Sequence, residues 1–247
     1  MSAPDSRGDP REEPTTHAGV RDVGVVIVAG GSGTRIGGGE LKQFRWVAGK
    51  PMLLHSVQAF MARPDVGMVV VVLPQRYAGD PPPWLFQCDV DRLLVSLGGR
   101  TRSESVANGL DDLPDEAEIV LVHDAARPLV GAATIDRVIA AVRRGQCVVA
   151  ALPVVDTLKE VDDDGRIVRT VSRDQLWRAQ TPQGFPRQVI VDAHRRATAE
   201  RVAATDDAAL LERLGIPVHV VRGSERALKV TEPGDFAHVD ALLASDE

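Results

Sequence analysis

Three polar segments of this sequence carry residue types suited to handling phosphates. The first is Ala29-Gly30-Gly31-Ser32-Gly33-Thr34-Arg35, with Lys42 a short distance beyond. Glycines let a backbone approach a ligand closely and turn its N–H groups inward, which suits a polyanion, and the Arg and Lys add positive charge. Spacing excludes two familiar phosphate loops. A dinucleotide fingerprint starting at Gly31 requires Gly or Ala where Ile36 stands, and no Gly-Lys-Ser or Gly-Lys-Thr triplet of the Walker type occurs. The second segment is Gly98-Gly99-Arg100-Thr101-Arg102-Ser103-Glu104-Ser105, and the third is His123-Asp124-Ala125-Ala126-Arg127-Pro128.

Each segment also has a plainer account. The first loop is alternatively a strand-to-helix turn using glycine for geometry alone, and Lys42 by itself is a solvated surface charge. Asp124 ends an apolar run, where a carboxylate needs a partner; a Mg²⁺ ion or a ligand hydroxyl would supply one, and so would a helix cap or an ion pair with Arg127. His123 reads as packing, because the six histidines show no metal-ligand spacing. Gln180-Thr181-Pro182-Gln183 reads as a polar turn after Leu176-Trp177-Arg178-Ala179, and Lys229-Val230-Thr231 as a strand end. By spacing alone, those two are as readily an ordinary loop and an edge lysine. Covalent hydrolysis is a poor fit, since Gly-x-Ser-x-Gly is absent.

The elements that position these segments follow from hydrophobic pattern. Apolar, β-branched runs at residues 23–29, 68–73, 93–97, 119–122, 147–152 and 218–221 predict strands buried on both faces. Residues 51–61, 135–142 and 189–199 have helical spacing between them, with Pro51 suited to a first turn. Alternation of this kind predicts a doubly wound α/β fold with a mostly parallel sheet, in which ligands bind outside the carboxyl ends of the strands. All three polar segments fall on that rim. One stretch departs from the pattern: residues 154–161 and 166–171 alternate polar and apolar around Asp162-Asp163-Asp164-Gly165, which predicts an antiparallel hairpin. Such a hairpin buries one face at most, so it is expected to leave the main sheet and pack against a second subunit.

Bulk properties narrow the class. At 247 residues, with 44% hydrophobic and 26% charged residues, the chain is long enough and apolar enough for an ordinary folded core. A net charge of −6 argues against a general nucleic-acid binder. Cys88 and Cys147 have neither paired spacing nor a nearby His, which fits a reducing cytoplasm. Residues 1–21 have no apolar run to bury and read as a disordered tail, leaving 22–247 as a single domain with an arm at about 153–175. No segment is apolar for long enough to form a signal or a membrane span.

Taken in order, these motifs resemble the 2-C-methyl-D-erythritol 4-phosphate cytidylyltransferases of the non-mevalonate isoprenoid route. The likeness runs through Ala29 to Ile36, Lys42-Gln43, Gly98-Gly99, Arg102, Ser105-Val106, His123 to Pro128, Asp156-Thr157, Thr170-Val171, Arg173, Leu176-Trp177, Gln180 to Gln183, Thr205-Asp206 and Lys229-Val230-Thr231. The resemblance implies transfer of CMP from CTP to methylerythritol phosphate, with Mg²⁺ and release of pyrophosphate. It implies Arg35, Lys42, Arg173 and Lys229 as catalytic cations. Ala29, Gly30, Gly31, Gly33, Gly99, Arg102 and Ser105 would line the CTP site. Asp124, Arg127, Thr157, Arg173, Thr205 and Lys229 would meet the sugar phosphate, with Asp124 near the metal. It further implies a homodimer in which the arm carries Thr157 and Arg173 to the neighbour's site.

Two positions depart from the family pattern. Leu41 stands where proline is usual, which is expected to loosen that loop, and Ala227 where asparagine is common. Neither removes a charge. A ribitol 5-phosphate cytidylyltransferase is the nearest alternative, which the Leu176-Trp177-Arg178-Ala179 run and Ala125-Ala126 disfavour. A nucleotide-binding regulator without catalysis is disfavoured by the five charged residues Arg35, Lys42, Asp124, Arg173 and Lys229.

Overall fold

A computed structural model describes residues 20–30, 41–202 and 204–244. Its centre is a seven-stranded sheet. In chain order the strands are β1 (Val23–Val28), β4 (Val66–Leu73), β5 (Leu93–Leu97), β6 (Ile119–Asp124), β7 (Cys147–Pro153), β10 (Trp177–Pro186) and β11 (Val218–Arg222). Across the sheet they lie in the order β11-β7-β10-β6-β1-β4-β5. β1 pairs in parallel with β4 and β6, β4 with β5, and β7 with β11, as the apolar runs predict. Two short strands, β2 (Trp46–Val47) and β3 (Lys50–Pro51), form a small separate ladder.

Side chains alternate across each strand, so one strand feeds two cores. Val23, Val25 and Ile27 of β1, with Val69 and Val71 of β4, pack against α1 (Met52–Met61) and α4 (Ala132–Arg143). Val26, Val70 and Val72 face the other way, toward α3 (Arg102–Asp111), α5 (Arg187–Glu200) and α6 (Ala208–Arg213). Two remaining helices are α2 (Gln75–Ala78) and α7 (Pro233–Ala244). The helix patterns at 51–61, 135–142 and 189–199 thus correspond to α1, α4 and α5, each a residue to a few different at its ends.

The sequence pattern misplaces two segments. Gln180-Thr181-Pro182-Gln183 is not a turn but the middle of β10, which runs antiparallel between β6 and β7 in the interior of the sheet. Its pairing with β7 shifts between Ala179 and Gln183, so polar residues and a proline are accommodated where the ladder is interrupted. Lys229 is not at a strand end either. β11 stops at Arg222, and Lys229 lies in the loop that leads to α7.

The hairpin forms, with its first strand starting four residues later than the alternating pattern from 154 predicts. Its strands, β8 (Leu158–Val161) and β9 (Ile167–Val171), pair antiparallel in a sheet of their own. The turn is closed by Gly165 N–H donating to Asp162 O at 3.0 Å, with Gly165 at φ +78. Asp162 Oδ1 accepts from the Arg166 and Asp164 backbone N–H groups. No residue of either strand is buried, and Val161, Ile167 and Val168 are more than half exposed. Among the described residues, neither face of the arm has a cover.

Candidate active site

The carboxyl edge of the sheet is built from adjoining strand ends. Val28 of β1 lies beside Asp124 of β6, and Ala29 N–H extends the ladder to Val72 O at 2.9 Å. Ala29 and Gly30 therefore emerge next to Asp124. Gly31, Gly33 and Arg35 lie outside the described residues, as do residues 1–19 of the expected tail. Beyond that gap Leu41 is 2% exposed with φ −64, a proline-like backbone, so the chain takes the shape without the ring.

Gly99 and Ser105 fold one another. Ser105 Oγ accepts from Gly99 N–H at 3.0 Å and donates to Thr101 O at 2.9 Å. Gly30 sits against the same hydroxyl, where a Cβ would approach to 3.1 Å. Thr101 caps α3 by accepting from Glu104 N–H at 3.0 Å, and Glu104 reaches back to the Arg100 N–H at 2.8 Å. The capping pair T-x-x-E starts the helix so that Arg102, in its first turn, faces the rim.

Arg102 stands between two carboxylates. Its Nε donates to Asp124 Oδ1 at 3.3 Å and its Nη1 to Asp207 Oδ2 at 2.8 Å. Lys229 Nζ takes the other oxygen of Asp124 at 2.7 Å. Burial pushes the Asp124 carboxyl up, but Arg102 and Lys229 outweigh burial and hold it well below the usual carboxylate range. Burial likewise lowers Arg102, and Asp207 and Asp124 raise it past its ordinary value. Asp207, 1% exposed, also accepts from His194 Nε2 at 3.1 Å. The result is a chain of alternating charge from the buried Asp207 out to the half-exposed Lys229.

Lys42 is tied to the loop that carries Lys229, donating to Val230 O at 2.6 Å. Val230 is fully buried with Val47, Met52, Phe236 and Val239, and its N–H donates to Ala126 O at 2.8 Å. Lys42 and Lys229 are thus linked through the backbone of the buried Val230. Arg127 directs its two Nη atoms to the carbonyls of Ala227 and Ala179, at 2.8 and 3.2 Å, and so ties the Lys229 loop to β10. The ion pair between Arg127 and Asp124 considered from sequence is not formed; Arg102 and Lys229 supply the partners.

His123 is buried as packing, edge-on to Phe60 at 4.9 Å between ring centroids. Its Nε2 donates to Arg127 O at 3.1 Å, and its Nδ1 accepts from Thr181 Oγ1 at 3.0 Å, which in turn accepts from Asp124 N–H at 3.1 Å. Burial pushes the His123 pKa down to about 4, which leaves the ring neutral near pH 7 and its Nδ1 able to accept the Thr181 hydroxyl.

Thr157 and Arg173 lie on the arm and are exposed, and Arg173 Nη1 donates to Val155 O. No hydrogen bond or ion pair among the described residues joins either of them to the Asp124 group. Thr205 is exposed beside the Asp206-Asp207 pair. Sequence reasoning overlooked Asp207 and His194. Thr205-Asp206 reads as part of the likeness, and only the fold brings the next residue, Asp207, under Arg102. Among the described residues, no three His, Cys, Asp or Glu side chains are grouped to hold a metal ion, and no helix is long and apolar enough to cross a membrane.

A doubly wound sheet with lysines, an arginine and a buried carboxylate gathered at its carboxyl edge defines an enzyme class that handles phosphorylated ligands, the nucleotidyltransferases among them. Residues 23–245 match the family model for 2-C-methyl-D-erythritol 4-phosphate cytidylyltransferase, and the chain belongs to that family. It is 46% identical over 232 residues to the enzyme of that name from Streptomyces coelicolor, covering 89% of this chain and 84% of the relative. It is 39% identical to the enzyme of that name from Syntrophus aciditrophicus, covering 90% and 96%. The crystal structure of the 2-C-methyl-D-erythritol 4-phosphate cytidylyltransferase from Thermus thermophilus superposes with a TM-score of 0.77 at 35% identity, covering 90% of this chain and 99% of that one.

Proposed function

We propose that this chain transfers CMP from CTP to 2-C-methyl-D-erythritol 4-phosphate. An oxygen of the acceptor phosphate attacks the α-phosphorus of CTP, the bond from that phosphorus to the bridging oxygen breaks, and pyrophosphate leaves. The product is 4-diphosphocytidyl-2-C-methyl-D-erythritol, an intermediate of non-mevalonate isoprenoid synthesis. The observation that carries the reading is that Lys229 is joined to Asp124 while Lys42 is joined to the carbonyl of Val230, the residue after Lys229, in a chain of the cytidylyltransferase family.

Transfer at phosphorus needs positioning and charge neutralisation more than covalent help. Arg35 and Lys42 neutralise the charge that develops on the α-phosphate and the leaving group. Lys229 and Arg173 hold the attacking phosphate. The first loop, with Ala29, Gly30, Gly31 and Gly33, follows the triphosphate, and Gly99, Arg102 and Ser105 support the nucleotide. Asp124 orients Lys229 and Arg102, while Arg127 and Thr205 belong to the acceptor side.

Mg²⁺ would be held through one carboxylate, at an oxygen that Asp124 shares with Arg102 or Lys229. Asp124 is the rim carboxylate, and Mg²⁺ at nucleotide sites commonly takes one or two carboxylates, with phosphates and waters filling the rest. When bound, the ion neutralises triphosphate charge. We place these functions in one domain, 22–247, whose arm at 153–175 clasps a second copy and brings Thr157 and Arg173 to its site, in a cytoplasmic enzyme. The assay is product mass after incubation with CTP, Mg²⁺ and methylerythritol phosphate. A gain of one cytidylyl unit by the acceptor supports the reading; an unmodified acceptor contradicts it.

A further inference from the structure

Gln180, Thr181 and Gln183 do something unusual for an interior strand: their side chains bond to other segments rather than filling the core. Gln180 and Gln183 are 7% and 1% exposed, so water is not their partner. Gln180 Nε2 donates to Ser224 O at 2.9 Å, and Gln180 Oε1 accepts from Ser224 N–H at 3.1 Å. One amide therefore takes both backbone groups of a residue at the start of the loop that carries Lys229. Gly223 leaves room for that grip, since a Cβ there would collide with the Gln180 amide.

Gln183 grips a different loop. Its Oε1 accepts from the N–H groups of Asp207 and Ala208, both at 3.1 Å, and its Nε2 donates to Asp206 Oδ2 at 2.7 Å. Those bonds fix Asp207, the carboxylate that holds Arg102. Between the two, Thr181 bonds to His123 and to the Asp124 N–H. Thr181 thus touches Asp124 directly, Gln183 reaches Arg102 through Asp207, and Gln180 holds Ser224 at the start of the loop that carries Lys229.

We propose that Gln180 is a positioning residue for the acceptor side of the reaction and Gln183 for the nucleotide side, each acting through the loop it grips. This rests on the cytidylyltransfer reading, in which Lys229 meets the acceptor phosphate and Arg102 the nucleotide. Buried unmatched amide partners are costly, so a misplaced loop is the expected result when one amide is removed.

The experiment measures KM for CTP and for methylerythritol phosphate separately, with thermal melting, in the wild type, Gln180→Met, Gln183→Met and Gly223→Ala. Methionine keeps the length and loses the bonds; Gly223→Ala leaves Gln180 in place but displaces its amide. Gln180→Met and Gly223→Ala are expected to raise the acceptor KM about tenfold with the CTP KM within about twofold, the size of one or two lost hydrogen bonds. Gln183→Met is expected to raise the CTP KM instead. Equal changes in both constants, a fall in kcat alone or no change would overturn the proposal. If Gln180→Met does not fold, Gly223→Ala decides the acceptor side. A wild type that releases no pyrophosphate overturns the underlying reading and this proposal together, whereas an active wild type with unsplit constants overturns this proposal alone.

Discussion

At the scale of single residues, function here depends on how cations and carboxylates are shared. Lys42 donates to Val230 O, which ties its ammonium group to the loop that carries Lys229. Lys42→Ala is therefore expected to lower kcat by about a hundredfold or more, roughly 3 kcal/mol of transition-state stabilisation. Near-normal turnover in steady-state assays would remove Lys42 from the mechanism. His123 makes a separate prediction about stability. Its pKa falls from 6.5 to about 4 on folding, mainly through burial. Between those values the unfolded chain binds a proton that the folded chain does not, so stability declines as pH falls through that window. The loss from pH 7 to pH 5 is expected to be about 2 kcal/mol from this group, read by urea denaturation at the two pH values. Equal midpoints would contradict a neutral buried His123. Much of this was legible in sequence: Lys42, Asp124 and Lys229 stood out by the company they keep. Asp207 did not, because its long-range partner 105 positions away is invisible to spacing.

At the scale of elements, the parallel strands were readable because burial on both faces leaves apolar, mostly β-branched runs, as at residues 23–29 and 68–73, which lie within or overlap β1 and β4. β10 was not readable, because the demands on Gln180 to Gln183 come from loops distant in sequence, and they override the apolar pattern of an interior strand. Lys229 was misplaced for a related reason: its anchor is Val230 in a small satellite core with α7, not a ladder. The start of α3 gives the test at this scale. Thr101→Ala removes the cap bond to Glu104 N–H and is expected to cost about 1 kcal/mol of unfolding free energy. Because Arg102 and Ser105 lie in the first turns, the same variant is expected to raise the CTP KM. A variant of wild-type stability would show that the cap does not secure this helix.

At the scale of the whole molecule, the arm is the element that one chain leaves unexplained. Val155, Val161, Ile167 and Val168 are each more than half exposed, on a hairpin that buries no strand residue of its own. A second copy covering it would also bring Arg173 to a site, whereas among the described residues this chain's own Arg173 makes no bond to the Asp124 group. If so, Lys42→Ala and Arg173→Ala chains, each nearly inactive, are expected to recover activity when mixed and allowed to exchange, because one of the two sites in a mixed dimer is then intact. No recovery, with exchange verified by mass, would confine each site to one chain. The central claim is the reaction itself, and pyrophosphate release tests it most directly. With Mg²⁺ present, each of the four nucleoside triphosphates is offered with methylerythritol phosphate and, separately, with ribitol 5-phosphate. The account predicts release with CTP and methylerythritol phosphate; release only with ribitol 5-phosphate, or none with either acceptor, would contradict it.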